Sequence, residues 1–271
     1  MQKIETYQDL VNRNIGFITG EQQEKLRNSC VAVFGVGGLG AVAAEVLCRC
    51  GIGRMKIIEH GIFEPTNLNR QIFCFRSTLD KRKREVAELF LKDINPDIEI
   101  ELYEKEDTKN IKEILEATDA VILAVDKVRA CIIISRQART RGIPLIESWA
   151  IPYGNVRVFT KDTLSLEEAY RLQSIGKKIE DISEAEFKEM DLVMLNYLTG
   201  FVEDIMSFYS AHAMERVRQR ENPTFAPCVW LNGVLMSLEV IKVLLNWGAI
   251  SLAPNFALYD PFFHRIPKQQ V

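Results

Sequence analysis

The chain has 271 residues, of which 47% are hydrophobic, and carries a formal net charge of −3 at pH 7. This length and apolar content are enough for one large domain or two smaller ones with a sizeable core. Because the charge is nearly balanced, we expect neither nucleic acid nor an anionic membrane surface as a bulk electrostatic partner.

Targeting and redox signals are weak. The N-terminal residues 1–14 lack an apolar segment, so no signal peptide is expected, and the most apolar later stretch, 228–253, is interrupted by Glu239 and Lys242. The six cysteines lie mostly in apolar runs and form no C-x-x-C pair. We therefore expect reduced thiols in a cytoplasmic protein, no membrane span and no structural zinc.

Residues 1–29 are predicted to form a helical lead-in, broken at Gly16 and Gly20, in which Arg13 is a surface residue. We assign no role to Arg13 from composition or spacing.

The strongest pattern occupies residues 30–59: an apolar strand, a glycine-rich turn, a helix, and a second apolar strand ending in Glu59. Gly35, Gly37 and Gly40 have the G-x-G-x-x-G spacing of a nucleotide-binding turn. The first glycine allows the tight turn, the second lets a phosphate approach the backbone, and the third lets the helix pack on the strand. Glu59 can accept a hydrogen bond from a ribose hydroxyl. A purely structural glycine turn is the alternative.

Two polar segments follow this unit. In the loop HGIFEPTNLNRQIF, Asn67 and Arg70 can donate to phosphate oxygens, or the segment is an ordinary turn-forming loop. The next predicted helix has an apolar face at Val86, Ala87, Leu89, Phe90 and Leu91 and stops at Asn95-Pro96. Four cations, at positions 81–84, crowd its positive end, which indicates either a solvated basic patch or a bound anion.

A third strand, a short helix and a fully apolar fourth strand ending in Asp126 complete the pattern. A carboxylate at the tip of a buried parallel strand is suited to Mg²⁺, although aspartate is also a common helix N-cap. A fifth strand and an extended segment reach residue 160.

The remaining chain is predicted to be helical and then to return to the sheet. Ser165 with Glu168, and Ser183 with Glu186, have capping-box spacing. An apolar stripe at helical spacing follows, consisting of Phe187, Met190, Met194, Tyr197, Leu198, Phe201, Ile205 and Phe208. We read it as core, packed on the sheet or on a partner subunit.

The predicted fold class is α/β, a Rossmann-like doubly wound, mostly parallel sheet with a helical insertion and a C-terminal helix plus strand. The predicted division is a helical lead-in at 1–29, a nucleotide-binding Rossmann-like core at 30–160, a helical crossover insertion at 161–226 and a C-terminal helix and strand at 227–271 that complete the core.

Together these residues resemble the ThiF/MoeB/HesA family, the small bacterial and archaeal relatives of ubiquitin-activating enzymes. The resemblance covers about residues 7–150 and 226–260. It is carried by GVGGLG at 35–40, Glu59, NLNRQ at 67–71, the lysine of DKRKRE and Asp126.

The resemblance implies ATP rather than a dinucleotide, and attack of a substrate carboxylate on the α-phosphorus to give an acyl adenylate and pyrophosphate. It implies that Glu59 holds the ribose, Lys83 neutralises phosphate, Asp126 binds Mg²⁺, and Arg13 reaches the partner's ATP in a homodimer. The other implied ATP contacts are Gly35, Gly37, Gly38, Gly40, Asn67, Arg70 and Gln71.

Three departures from the family pattern shape the expected function. The zinc-binding cysteine pairs are missing, Lys127 follows Asp126 where the family usually has asparagine, and residues 161–222 contain no cysteine. Cys228 lies just beyond and is a weaker candidate nucleophile, so activation without an internal thioester is favoured.

The expected substrate is a small-molecule acid or the C-terminus of a ubiquitin-like carrier protein. A member that dehydrates an activated carboxylate on modified tRNA is less favoured by the charge. Alternatives from other classes are an NAD(P)- or flavin-dependent oxidoreductase and a non-catalytic scaffold subunit of a heterodimeric activating enzyme.

Overall fold

A computed structural model describes residues 7–200, 202, 205–218 and 223–269. Residues 1–6 of the predicted lead-in and Phe201 of the predicted apolar stripe lie outside the described residues.

A mixed sheet of seven strands forms the centre of the described chain, with spatial order β3-β2-β1-β4-β5-β6-β7. The strands are β1 Cys30–Phe34, β2 Arg54–Ile58, β3 Glu99–Tyr103, β4 Ala120–Leu123, β5 Leu145–Glu147, β6 Gly154–Phe159 and β7 Ala257–Tyr259. The first five pair in parallel, whereas β6 and β7 pair antiparallel. The predicted α/β fold class is confirmed.

The chain direction around the sheet reverses between β1 and β4, because β2 and β3 lie on one side of β1 and β4 and β5 on the other. In such sheets the crevice for a ligand opens outside the carboxyl ends of the strands at this reversal. Every residue of β1 and β4 is buried, as expected for central parallel strands covered on both faces.

The helices in the described residues surround this sheet. They are α1 Tyr7–Val11, α2 Gly20–Asn28, α3 Gly38–Arg49, α4 Lys83–Ile94, α5 Ile111–Ile114, α6 Val128–Arg141, α7 Leu166–Tyr170, α8 Glu184–Gly200, α9 Ala211–Arg218 and α10 Ala226–Leu245. Gly20 begins α2 rather than breaking it, because Thr19 and Gln22 form a capping box at that end.

One face of the sheet is covered by α3, α4 and α10, whose apolar side chains share a core with alternate residues of β1, β2 and β4. Helix α10 is long and apolar enough to cross a membrane by length and composition alone. More than half of its apolar window, 56%, is buried inside the protein, and Gly233 packs directly against Val42 of α3. We therefore describe α10 as a core helix.

The opposite face is covered by α5, α6 and the helical segment after β6. Phe187, Met190 and Met194 of the predicted stripe are buried against α6, which confirms their assignment to the core. Both predicted capping boxes form: Ser165 with Glu168, and Ser183 with Glu186.

Two local predictions were wrong. Leu89 is 70% exposed, because α4 turns only a narrow face, with Val86, Ala87 and Leu91, towards the sheet. The fourth strand ends at Leu123, so Asp126 stands three residues beyond its tip, in the connection to α6.

Candidate functional site

The glycine-rich turn joins β1 to α3 at the reversal point of the sheet. Gly35 has a φ of 89°, and a Cβ there would lie 2.5 Å from the Ala124 carbonyl oxygen. A Cβ at Gly40 would lie 1.9 Å from the Gly35 carbonyl oxygen. At Gly37, by contrast, the nearest atom to an added Cβ is Gln71 Nε2, at 3.8 Å. Gly35 and Gly40 thus serve close backbone packing, whereas the backbone at Gly37 is uncrowded at the N-terminus of α3.

Glu59 links the end of β2 to this turn. Its Oε1 accepts a hydrogen bond from the Gly61 amide at 2.7 Å, and its Oε2 accepts one from the Val36 amide at 3.2 Å. The carboxylate is nearly buried, with 11% of the side chain exposed. Each oxygen retains a further acceptor position, so the geometry is compatible with a hydroxyl donor from a ligand.

The loop after β2 brings Arg70 and Gln71 beside the glycine turn. Arg70 Nη1 donates to the Thr66 carbonyl at 2.7 Å and to Asn69 Oδ1 at 2.9 Å, and burial lowers the pKa of its guanidinium. Gln71 is buried and lies against Gly37, and its Oε1 has no hydrogen-bond partner among the described residues. A buried acceptor without a partner marks a place where a ligand or a water belongs.

The Asn67 side chain stabilises the loop in which it lies. Its side chain is buried, and Oδ1 accepts a hydrogen bond from the Glu64 amide at 3.2 Å, closing the 3₁₀ turn Pro65–Asn67. Its Nδ2 makes only a long contact of 3.5 Å with Thr66 Oγ1. The side chain therefore shapes the loop while its amide donors stay available.

The start of α10 supports this loop, which sequence reasoning missed. A Cβ at Gly38 would lie 2.6 Å from Val229 Cγ1, so only glycine lets α3 meet α10 there. Trp230 Nε1 donates to the Arg70 carbonyl at 2.8 Å, and Asn69 Nδ2 donates to the Thr224 carbonyl at 3.0 Å. The one available signal was a tryptophan, which needs a hydrogen-bond acceptor, inside an apolar helix.

Lys83 is the first residue of α4 and stands close to Glu59. A Cβ at Gly61 would lie 3.0 Å from Glu59 Oε1 and 3.4 Å from Lys83 Nζ, so both groups border the same point. Its neighbours are engaged elsewhere: Arg84 donates to the Glu59 carbonyl at 2.9 Å, and Arg82 lies 3.7 Å from Glu85. Lys83 forms no ion pair within the described residues. Of the basic residues at this helix start, it is the one best placed for an external anion.

Asp126 is exposed and follows Ala124 and Val125, which pack against Gly35. It is not the N-cap of α6, because Lys127 holds that position and the Val128 amide donates to Asp191 Oδ1 at 3.0 Å. No cluster of three His, Cys, Asp or Glu side chains that could hold a metal occurs in the described residues. A single carboxylate still fits Mg²⁺ that arrives with a nucleotide, since phosphate oxygens and water complete its coordination.

Glu106 is a further carboxyl that sequence reasoning missed. Burial raises its pKa, and the neighbouring Glu59 adds to the rise while His60 opposes it. Nothing in the strand-like pattern around it distinguished this acid from the exposed Glu104.

Two candidates lie apart from this group. Arg13 is exposed in the 3₁₀ turn Asn12–Asn14 and makes no hydrogen bond or ion pair with the site residues that the structure describes. Cys228 is buried in the first turn of α10, and burial raises the pKa of its thiol.

A surface cavity of about 440 Å³ lies elsewhere, between α6 and α7. Arg136, which lines this cavity, is already paired within the protein. Its Nε and Nη2 donate to the two Glu167 carboxylate oxygens at 2.7 Å, and its Nη1 donates to the Lys177 carbonyl at 2.8 Å. The charge there is neutralised, so the glycine turn remains the candidate site.

Known proteins share sequence and fold with this chain. A tRNA threonylcarbamoyladenosine dehydratase from Bacillus subtilis is 34% identical over 51% of this chain and 55% of its own length. A molybdopterin-synthase adenylyltransferase from Haemophilus influenzae is 29% identical over 89% of this chain and 84% of its own. The structure of E. coli MccB with ATP superposes with a TM-score of 0.66 over 92% of this chain and 65% of that one, at 19% identity, which shows a shared fold.

The names of these relatives support an enzyme of the adenylyltransferase type. The ThiF family model matches residues 11–271, which confirms the resemblance drawn from the motifs. The chain therefore belongs to the ThiF family.

Proposed function

We propose that the chain is an ATP- and Mg²⁺-dependent adenylyltransferase. A carboxylate oxygen of the substrate attacks the α-phosphorus of ATP, the bond from that phosphorus to the β-phosphate oxygen breaks, and pyrophosphate leaves. The observation that carries this proposal is the uncrowded backbone at Gly37, beside the buried Gln71 side chain, whose carbonyl oxygen has no hydrogen-bond partner among the described residues. Arg70 adjoins the same turn, packed beside Gly38.

The residues around the turn supply what this reaction needs. Arg70 and Lys83 offer positive charge to the phosphates, and the Glu59 carboxylate accepts from the ribose. Asp126 would hold Mg²⁺, which would supply further positive charge for the transfer. Nucleotidyl transfer requires positioning and charge stabilisation rather than a protein nucleophile.

We further propose that no enzyme thioester forms. Cys228 is buried with a raised pKa, which disfavours the thiolate, and Cys30, Cys48, Cys74 and Cys131 are also buried. The acceptor would then react directly with the bound acyl adenylate.

The substrate is proposed to be a small-molecule acid or the C-terminus of a ubiquitin-like carrier. The oxidoreductase alternative is not favoured by membership of the ThiF family. The scaffold alternative is disfavoured because Arg70, Lys83 and Asp126 are all present. The dehydratase relative keeps a carboxylate on a modified tRNA as a second candidate substrate.

The decisive experiment is ATP–pyrophosphate exchange across a panel of small acids, peptides ending in Gly-Gly, and tRNA. For the substrate that supports exchange, Lys83→Ala should reduce the rate by roughly 10²-fold, as removal of a charge donor does in other transfer reactions. Lys92→Ala is the matched control, because Lys92 lies in the last turn of the same helix and pairs with Glu88. Equal activity of both variants would refute the proposed role of Lys83, and exchange that survives in Asp126→Ala and Arg70→Ala would refute the proposed function.

A homodimer is proposed to supply Arg13 to the partner's nucleotide. The face of α10 that carries Trp230, Val234 and Leu238 supports it, since these apolar side chains are 41–44% exposed at four-residue spacing. Trp230 also binds the Arg70 carbonyl, so a second copy docked there would lie beside the site.

Mixing two inactive variants tests this arrangement. Arg13→Ala and Arg70→Ala chains should regain exchange activity when combined, because a mixed dimer contains one site with both arginines. Light scattering gives the mass of the assembly. A mixture that stays inactive although mixed dimers form would contradict delivery of Arg13 across the interface.

A further inference from the structure

A hydrogen bond joins the helical segment after β6 to the start of α6. The Val128 amide, at the first position of α6, donates to Asp191 Oδ1 at 3.0 Å. Asp191 belongs to α8 and lies 63 positions further along the chain. Amides in the first turn of a helix have no partner within the helix, and a side chain from the same segment normally caps them. Here the local cap residue is Lys127, which makes no side-chain cap.

A second contact joins the start of α6 to the start of α8. Arg129 Nη1 lies 2.7 Å from Glu184 Oε1, and the Arg129 guanidinium lies 5.3 Å from the centre of the Phe187 ring. Beneath these polar contacts, Phe187 and Met190 share a buried cluster with Val128. The start of α6 therefore has a fixed position relative to α8.

The short segment that carries Asp126 is anchored at both ends. On the β4 side, the Ala124 amide donates to the Phe34 carbonyl at 2.9 Å, beside the glycine turn. On the α6 side, the Asp191 bond holds Val128, two residues after Asp126. Asp126 and Asp191 both lie near Cys131, whose buried thiol has its pKa raised further by the negative charges around it, including these two carboxylates.

We propose that Asp191 is a positioning residue for the metal side of the nucleotide site: by capping α6 across the fold, it sets where Asp126 presents its carboxylate to Mg²⁺. This inference rests on the proposed function of Asp126. It gives helix α8, which lies between β6 and β7 in sequence and contributes no predicted ATP contact, a direct part in assembling the site.

The test measures binding of α,β-methylene-ATP, which cannot release pyrophosphate, with and without Mg²⁺ by calorimetry. In the wild type Mg²⁺ should increase the affinity. Asp191→Ala should reduce that increase by roughly tenfold or more, the range seen when a partner behind a metal ligand is lost. It should leave the Mg²⁺-free affinity unchanged. Amide hydrogen exchange at Val128 should accelerate in the same variant.

Two further variants separate positioning from other roles. Asp191→Asn keeps a capping oxygen and should keep the wild-type Mg²⁺ effect, since asparagine and aspartate cap equally well. Ser183→Ala breaks the capping box of α8 itself, so it should lower the Tm while leaving the Mg²⁺ effect intact.

The possible outcomes separate a failure of the proposed function from a failure of the positioning role of Asp191. A wild-type chain that does not bind the analogue would overturn the proposed function and this inference with it. Binding by the wild type with an unchanged Mg²⁺ effect in Asp191→Ala would overturn the positioning role alone. The same follows if Asp191→Asn loses as much as Asp191→Ala, or if Ser183→Ala reproduces the loss.

Discussion

The basic residues on the two faces of the sheet differ in whether the protein supplies them with an acidic partner. Arg157 and Arg136, on the side of α6 and the helical insertion, direct their donors to acids and carbonyls of the protein itself. Arg70 and Lys83, beside the glycine turn, form no ion pair within the described residues. A cation matched by its own fold stabilises structure, whereas a cation left without a counter-charge next to an open backbone is available to a ligand.

Arg157 shows the first case most clearly. Its side chain is fully buried on β6, and Nε donates to Glu147 Oε2 at 2.7 Å. Burial alone would lower its pKa, but the Glu147 carboxylate outweighs this effect and raises it. Four aromatic rings surround the guanidinium at 4.2–5.7 Å, those of Phe159, Tyr170, Tyr197 and Phe256. The pair thus joins the sheet to the helical insertion.

Removing Arg157 should give the largest expected change in stability, because it breaks the buried ion pair with Glu147. Arg157→Ala leaves Glu147 charged and buried, so we expect a loss of about 3–5 kcal/mol in the free energy of unfolding. Urea denaturation measures it. Nucleotide affinity of the folded fraction should not change, and a loss below about 1 kcal/mol would contradict a structural role of this size.

Gln71 tests the face of the sheet that carries the glycine turn, because its buried Oε1 has no hydrogen-bond partner in the described structure. Gln71→Met removes that acceptor at similar volume, so stability should rise by about 1 kcal/mol. ATP affinity should fall by about tenfold, or about 1.4 kcal/mol. Calorimetry and thermal unfolding report the two quantities separately. Loss of both stability and affinity would mean that the side chain serves the fold.

Glu106 gives the smallest effect and a pH dependence. Burial raises its pKa in the folded state, so its contribution to stability is fully present below its unfolded pKa of about 4.3 and is lost as pH rises through the folded pKa. Glu106→Gln should therefore stabilise the protein relative to wild type at pH 7 and not at pH 4. Urea denaturation at both pH values checks this. Glu104→Gln, an exposed neighbour, should show no such difference.

Sequence predicted the parts of the molecule that depend on local pattern. The glycine spacing placed the turn between β1 and α3, and the steric contacts of Gly35 and Gly40 match the roles expected of them. The S-x-x-E spacings predicted two helix starts because a capping box involves residues only three positions apart.

Sequence failed where the deciding contact was distant. No local pattern near Val128 predicts that Asp191 caps it, and none near Glu147 predicts its ion pair with Arg157. Leu89 fitted a helical apolar pattern but faces away from the sheet, since periodicity does not state how wide a buried face will be. The site residues could be proposed from local motifs. The contacts that Val229 and Trp230 of α10 make with Gly38 and Arg70 could not, because they join distant parts of the chain.

The dependence of the glycine turn on α10 also sets an order of events during synthesis. Gly38 and Gly233 let α3 and α10 meet, although α10 leaves the ribosome long after α3. Until then the side of α3 that faces α10 has no cover, and the loop around Arg70 lacks its hydrogen bond from Trp230. We therefore expect a nascent chain that ends before residue 226 to remain vulnerable to proteases and unable to hold a nucleotide. The ability to bind ATP should arise only after α10 has been made.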